Sequence, residues 1–152
     1  MNWKSVDTIR AFNRTYLAAL NLYDQNYLNS GYTTTDARIL HEIYERKSCS
    51  ANELIRTVRI DKGYMSRILK RFQQAGIIER TVSAEDGRVH LITLTEHGLS
   101  VTLELIEKSR ESILCSLHDL SDDELEKLSA LLGQVTVMIR ESTIKKDRKE
   151  GI

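Results

Sequence analysis

Between Asp61 and Gly98 the chain reads DKGYMSRILKRFQQAGIIERTVSAEDGRVHLITLTEHG, and no other stretch restricts its folding so tightly. Met65, Ile68, Leu69 and Phe72 stand at i, i+3, i+4 and i+7. At about 100° per residue they form one stripe, which predicts an amphipathic helix with that stripe in a core. Gly63, Arg67, Lys70 and Gln74 project to the opposite side, flanked by Tyr64, Ser66 and Arg71. Asp61 offers an N-cap and Gly76 a C′ residue. Gly63 is a poor helix former, about 1 kcal/mol worse than Ala, but a glycine there lets the backbone approach a phosphate. The plain alternative for a lone basic helix face is that it is simply solvated.

The residues after Gly76 give this helix a different meaning. Ile77 to Ser83 and Val89 to Leu94 are short β-prone runs joined by Ala84-Glu85-Asp86-Gly87-Arg88. Asp-Gly between such runs predicts a hairpin, with Gly supplying the positive φ of a primed turn. Arg88 comes directly after the turn and Arg80 lies on the incoming strand. An arginine at a loop tip suits a narrow A·T-rich minor groove. Asp86 is expected to hold Arg88 by a charge-assisted hydrogen bond; the alternative is an ordinary surface ion pair. Upstream, Ser50-Ala51-Asn52-Glu53 is a capping box that opens a short helix through Val58, and a turn at Arg59-Ile60-Asp61 comes next. Two short helices and a hairpin in this order make a winged helix-turn-helix: one helix for the major groove, one flap for the minor groove.

Arg80, Ser83, Asp86, Arg88, Leu94-Thr95 and Gly98 resemble the wing signature of the MarR family of bacterial transcription regulators, and KGYMSRILKRFQQAGII resembles its recognition helix. Phe12-Asn13-Arg14 and Gly31 to Leu40 are similar to the opening of MarR domains fused in some bacteria to a GNAT acetyltransferase. The resemblance spans about Val6 to Ile144. It implies a homodimer in which terminal helices pair and small aromatic or phenolic effectors bind between those helices and the winged domain. Phe12, Tyr16 and Tyr32, with Trp3 and Tyr23 beside them, are the aromatics available for such a lining; the alternative is that they are core residues.

The remaining helices fit that scheme. Asp7 to about Leu28 carries Val6, Ile9, Phe12, Tyr16, Leu20 and Tyr23 at helical spacing, and Asn29-Ser30-Gly31 ends it. A second helix runs from the caps at Thr33 to Thr35 to about Glu45, with Ala37, Leu40, Ile43 and Tyr44 inward, and Ser48 to Ser50 forms a short strand or turn. Thr95 can cap a long helix with Leu99, Leu103, Ile106, Ile113, Leu114 and Leu117 along one side. Ser121 to Glu124 is another capping box, before Leu125, Leu128, Leu132, Val135 and Ile139. Two long amphipathic helices carry more apolar surface than a winged helix covers, which points to a dimer interface, or else to an intramolecular hairpin. The expected organisation is mainly α with a β-hairpin wing. Residues 1–30 and 95–146 form a helical dimerisation region, 33–94 the DNA-binding unit and 147–152 a disordered tail.

Net charge is zero, yet eight bases face four acids between Arg56 and Arg88, while Asp119 to Glu126 holds five acids and no base. Such polarity lets one side meet phosphate. The groove-facing candidates are Gly63, Tyr64, Ser66 and Arg67 for base edges, and Lys62, Lys70 and Arg71 for phosphate. Arg80, Asp86 and Arg88 form the wing, and the Ser50 N–H is a further phosphate donor. A dimer would read half-sites roughly 34–36 Å apart in an imperfect palindrome. Cys49 and Cys115 suggest buried structural thiols rather than a disulfide framework, and His41, His90, His97 and His118 lack metal-ligand spacing. With no apolar leader or membrane-length run the expectation is cytoplasmic, with no cofactor and no membrane partner. With no phosphate loop or nucleophile elbow it is also non-enzymatic. The competing reading is a regulatory or protein-interaction module of an acetyltransferase system.

Overall fold

The computed structural model describes residues 2–19, 27–84 and 86–150, with side chains through Thr143. Its elements are α1 (Trp3–Ala19), a 3-10 turn (Tyr27–Asn29), α2 (Thr34–Arg46), β1 (Cys49–Ser50), α3 (Ala51–Val58), α4 (Lys62–Gln74), β2 (Ile78–Val82), β3 (His90–Leu94), α5 (Glu96–Ser116) and α6 (Asp122–Glu150). They fall into two compact units, Met1–Ser116 and Leu117–Ile152.

In the first unit the core is built where the periodicities predict it. Met65, Ile68, Leu69 and Phe72 of α4 are buried, together with Ile39, Leu40 and Ile43 of α2, Leu54 and Val58 of α3, and Ile77, Ile78 and Ile92 of the sheet. The three strands are antiparallel in the order β1-β3-β2. Cys49 pairs with Ile92, and the hairpin runs from Ile78 opposite Leu94 to Val82 opposite His90. Beyond Ile78, every residue of β2 is exposed, so the hairpin has no core reason to lie flat and stands out as a wing.

Local chemistry sets the boundaries. Thr33 caps α2 in a reciprocal box with Asp36, and Ser50 caps α3 in the same way with Glu53. The Asp61 carboxylate accepts from the Tyr64 N–H at 2.8 Å to start α4, and Gly76, at φ +66°, ends it. In the second unit Ser121 and Glu124 form the box that opens α6. Among the described residues no helix is long and apolar enough to cross a membrane.

The structure corrects several expectations. The first helix starts at Trp3 and its described span stops at Ala19; Leu20 and Tyr23 lie outside the described residues. Leu28 belongs not to that helix but to the 3-10 turn, at φ 51°. On α5 the expected stripe is left uncovered by the unit's own core: Leu99, Leu103, Ile113 and Leu114 are exposed in the single chain, while Gly98, Thr102 and Leu105 are buried. α6 stays helical through Glu150, into the segment expected to be a disordered tail.

The joint between wing and α5 is closely packed. The Thr95 hydroxyl donates to the Gly76 carbonyl at 2.6 Å and accepts from the Gly98 N–H at 3.0 Å, while the Thr95 N–H donates to the Ile77 carbonyl. A Cβ on Gly98 would stand 1.9 Å from that Ile77 oxygen. Gly98→Ala is therefore expected to destabilise the protein by about 3 kcal/mol, a drop in melting temperature of roughly 6–12 °C. Gly87→Ala, which meets nothing within 4 Å, should stay within about 0.5 kcal/mol of wild type. Thermal melts of the two variants side by side check the contrast.

Candidate nucleic-acid interface

Burying one side of α4 leaves Lys62, Gly63, Ser66, Arg67 and Lys70 exposed along the other. Tyr64 is half-buried against the core, and the Arg67 guanidinium lies 5.7 Å from the centre of its ring. This cation–π shelf holds the arginine at the outer surface of the first two turns. Arg80 and Arg88 are exposed on the wing. Lys62, Arg67, Lys70, Arg80 and Arg88 make no ion pair among the described residues, although ion pairs form elsewhere on the surface. Five cations without an ion pair among the described residues, along one helix and its neighbouring flap, give a surface suited to a polyanion.

Other expected contributors are occupied differently. The Ser50 N–H donates to Glu53 Oε2 at 2.7 Å and its hydroxyl donates to the same oxygen at 2.8 Å. The N–H expected to meet phosphate is therefore already bonded. Those two bonds hold the Glu53 carboxyl below its ordinary range. The cap they make is intact above the ordinary carboxylate range and is lost only as pH falls further, through the lowered folded value. Arg71 forms an ion pair with Asp36, which is fully buried, at 2.5 Å. Sequence reasoning puts Arg71 near phosphate; its guanidinium is engaged inside the protein instead.

Asp86 shapes the wing through the backbone. Its carboxylate accepts from the Arg88 N–H at 2.9 Å, and its carbonyl accepts from the Val89 N–H at 2.9 Å. The expected bond to the Arg88 guanidinium is thus replaced by a turn-forming bond to the Arg88 main chain. Nor is Gly87 in the left-handed region; the positive-φ glycines among the described residues are Gly31 and Gly76. The turn is of ordinary handedness and is closed by Asp86, and Glu85 lies outside the described residues.

A cleft of about 360 Å³ opens between α2 and α5, with Tyr27, Ala37, Arg38, His41, Leu105 and Arg110 in its lining. Its walls are mostly apolar, and two arginines and a histidine supply its polar rim. Phe12 and Tyr16, expected in such a lining, instead stack at 5.4 Å on exposed α1, and Tyr32 packs against the core. The cleft residues escaped sequence reasoning because they come from three separate segments, none with a motif of its own.

Among the described residues no group of three or more His, Cys, Asp or Glu side chains is placed to hold a metal. Cys49 is buried on β1, and burial, reinforced by the negative charge of Glu53, pushes its thiol up to about 11. A thiol so raised is a poor nucleophile at neutral pH. In a Cys115→Ser background, Cys49 should therefore stay silent to an aromatic disulfide reagent at pH 8 and react only when denaturant is added. Rapid labelling of the native protein would contradict this.

A sequence model described as MarR family matches residues 30–89. The transcriptional regulator MgrA of Staphylococcus aureus is 29% identical over 118 residues, covering 76% of this chain and 79% of that protein. Among solved structures, a mutant of Escherichia coli MarR complexed with operator DNA is 22% identical with a TM-score of 0.68, over 87% of this chain and 95% of that one. Bordetella bronchiseptica BpsR, whose DNA binding is regulated by 6-hydroxynicotinic acid, has a TM-score of 0.67 at 18% identity, over 86% and 98%. The two structural likenesses establish a shared fold.

Proposed function

We propose that this chain, which matches the MarR family model over residues 30–89, is a winged helix-turn-helix transcriptional regulator that binds duplex DNA as a homodimer on an imperfect palindrome. In this reading it is a repressor released by a small aromatic ligand. The observation that carries the reading is the row of exposed cations on α4 and the wing. Gly63, Tyr64, Ser66 and Arg67 face base edges in the major groove, Lys62 and Lys70 meet phosphate, and Arg80 and Arg88 reach the flanking minor groove. Ser50 and Arg71 leave the contact set, since both are bonded within the protein. Asp86 acts by shaping the turn that carries Arg88.

The apolar faces of the helices support dimerisation. Trp3, Ile9 and Phe12 on α1, and Leu103 and Leu114 on α5, are exposed to water in the single chain. Val137, Met138 and Ile139 on α6 are exposed as well. Surfaces of this kind on a monomer mark an interface, and a second copy supplies the matching one. The cleft between α2 and α5 supports the ligand: its volume and mostly apolar walls suit one aromatic ring. Arg38 and Arg110 suit a carboxylate or phenolate, although Arg110 also donates to Glu107 at 3.1 Å.

Selection of bound duplexes from a random pool tests the main reading. A two-fold consensus with half-sites about one helical turn apart is expected, and recovery of unselected sequence alone would refute it. Arg67→Ala should cost about 1–3 kcal/mol and relax preference at one base position, whereas Arg88→Ala should weaken binding mainly on A·T-rich flanks. The cleft is tested with 6-hydroxynicotinic acid as probe. Thermal stabilisation that disappears in Arg110→Ala, together with release of DNA, is expected; a melting curve indifferent to this and to simple aromatic carboxylates would remove the ligand from the account.

A further inference from the structure

We propose that Arg71 is a positioning residue: by pairing with buried Asp36 it fixes the seat of α4 against the first turn of α2, and it sets DNA affinity without touching phosphate. This role presupposes that α4 is the DNA-binding helix.

The asymmetry of the pair points to its role. The Asp36 side chain is fully sealed, while that of Arg71 is 53% exposed. A carboxylate without water needs its charge answered by protein, and removing the answer leaves a buried charge unpaired. Asp36 divides its two oxygens between two elements. One accepts from the Thr33 N–H at 3.0 Å and closes the cap of α2. The other accepts from the Arg71 guanidinium, 35 residues further along the chain. The same guanidinium lies 5.4 Å from the ring centre of Phe72, itself buried in the core. Arg71 is thus held by a sealed anion and an aromatic face together, unlike Lys62, Arg67 and Lys70 on the same helix.

A cation that touches phosphate and one that only seats the helix leave different marks on salt dependence. Each phosphate contact contributes about 0.9 to the slope of log affinity against log salt. The experiment measures affinity of the wild-type chain, Arg71→Gln, Asp36→Asn and the double variant for the duplex that wild type selects, over a range of salt. The expected result is a loss of roughly tenfold in each single variant, no further loss in the double variant, and an unchanged slope in all. A slope shallower by about one per subunit in Arg71→Gln, or wild-type affinity in either single variant, would overturn the positioning role. If Asp36→Asn does not fold, the slope and affinity of Arg71→Gln decide alone. Wild type failing to bind any duplex would instead bring down the DNA-binding reading itself, so the two failures are distinct.

Discussion

Which residues α4 offers to the outside is decided by the four it cannot leave there. Met65, Ile68, Leu69 and Phe72 are each at most 3% exposed. Sealing each is worth about 2 kcal/mol relative to leaving it in water, against at most about 1 kcal/mol for any ion pair its surface cations could make. The rotation of the helix about its axis is therefore set by the core and is not negotiable by surface charge. Turning α4 by one residue would carry Arg67 and Arg71 inward and lift Leu69 into water, or carry Ser66 and Lys70 inward and lift Ile68. The outward set of Gly63, Ser66, Arg67 and Lys70 is a geometric remainder of that packing, which is why a hydrophobic pattern can report on a polar surface.

Rotation alone leaves tilt and end positions open, and polar contacts close them. At the start, Asp61 ties down the first turn through the Tyr64 N–H. At the far end, Thr95 bonds both the Gly76 and Ile77 carbonyls, so the last residues after α4 are fastened to the first turn of α5. Gly98 makes this possible by leaving room for the Ile77 oxygen. The end of α4, the wing base and α5 consequently share one joint, and a displacement of α5 has little slack to absorb before it reaches the wing.

Most of the winged unit was legible because periodicity and caps are local. The stripe of α4, the Ser50–Glu53 box, the Asp61 cap and the paired strands were each readable within a window of about a dozen residues, and each is found. What could not be read depends on distant partners. The bond between Asp36 and Arg71 joins two segments with no shared pattern, so Arg71 looked like any exposed arginine on a basic helix. The α5 stripe was legible only as an apolar face. Leucine spacing identifies an apolar face but not which neighbour covers it, and the unit's own core takes Thr102 and Leu105 instead. Gly87 misled through the Asp-Gly rule, because Asp86 closes the turn with its carboxylate and no positive φ is needed. The α2–α5 cleft is assembled from three segments and has no linear signature at all.

The neutrality of the chain gives the seating of α4 its weight. A protein of high positive charge attracts duplex DNA over long distances and tolerates loose placement of any one cation. Here the net charge is zero, and the basic surplus between Arg56 and Arg88 is balanced elsewhere, partly by the five acids between Asp119 and Glu126. Long-range attraction is correspondingly small and is screened within roughly 8 Å at physiological salt. Affinity must then come from close contacts made all at once. On the proposed reading, simultaneous contacts at the positions of Lys62, Arg67 and Lys70 require the helix to arrive in one pose, and a small tilt would withdraw one end from the groove. The elements that hold α4 thus matter more to a neutral DNA-binding chain than to a basic one.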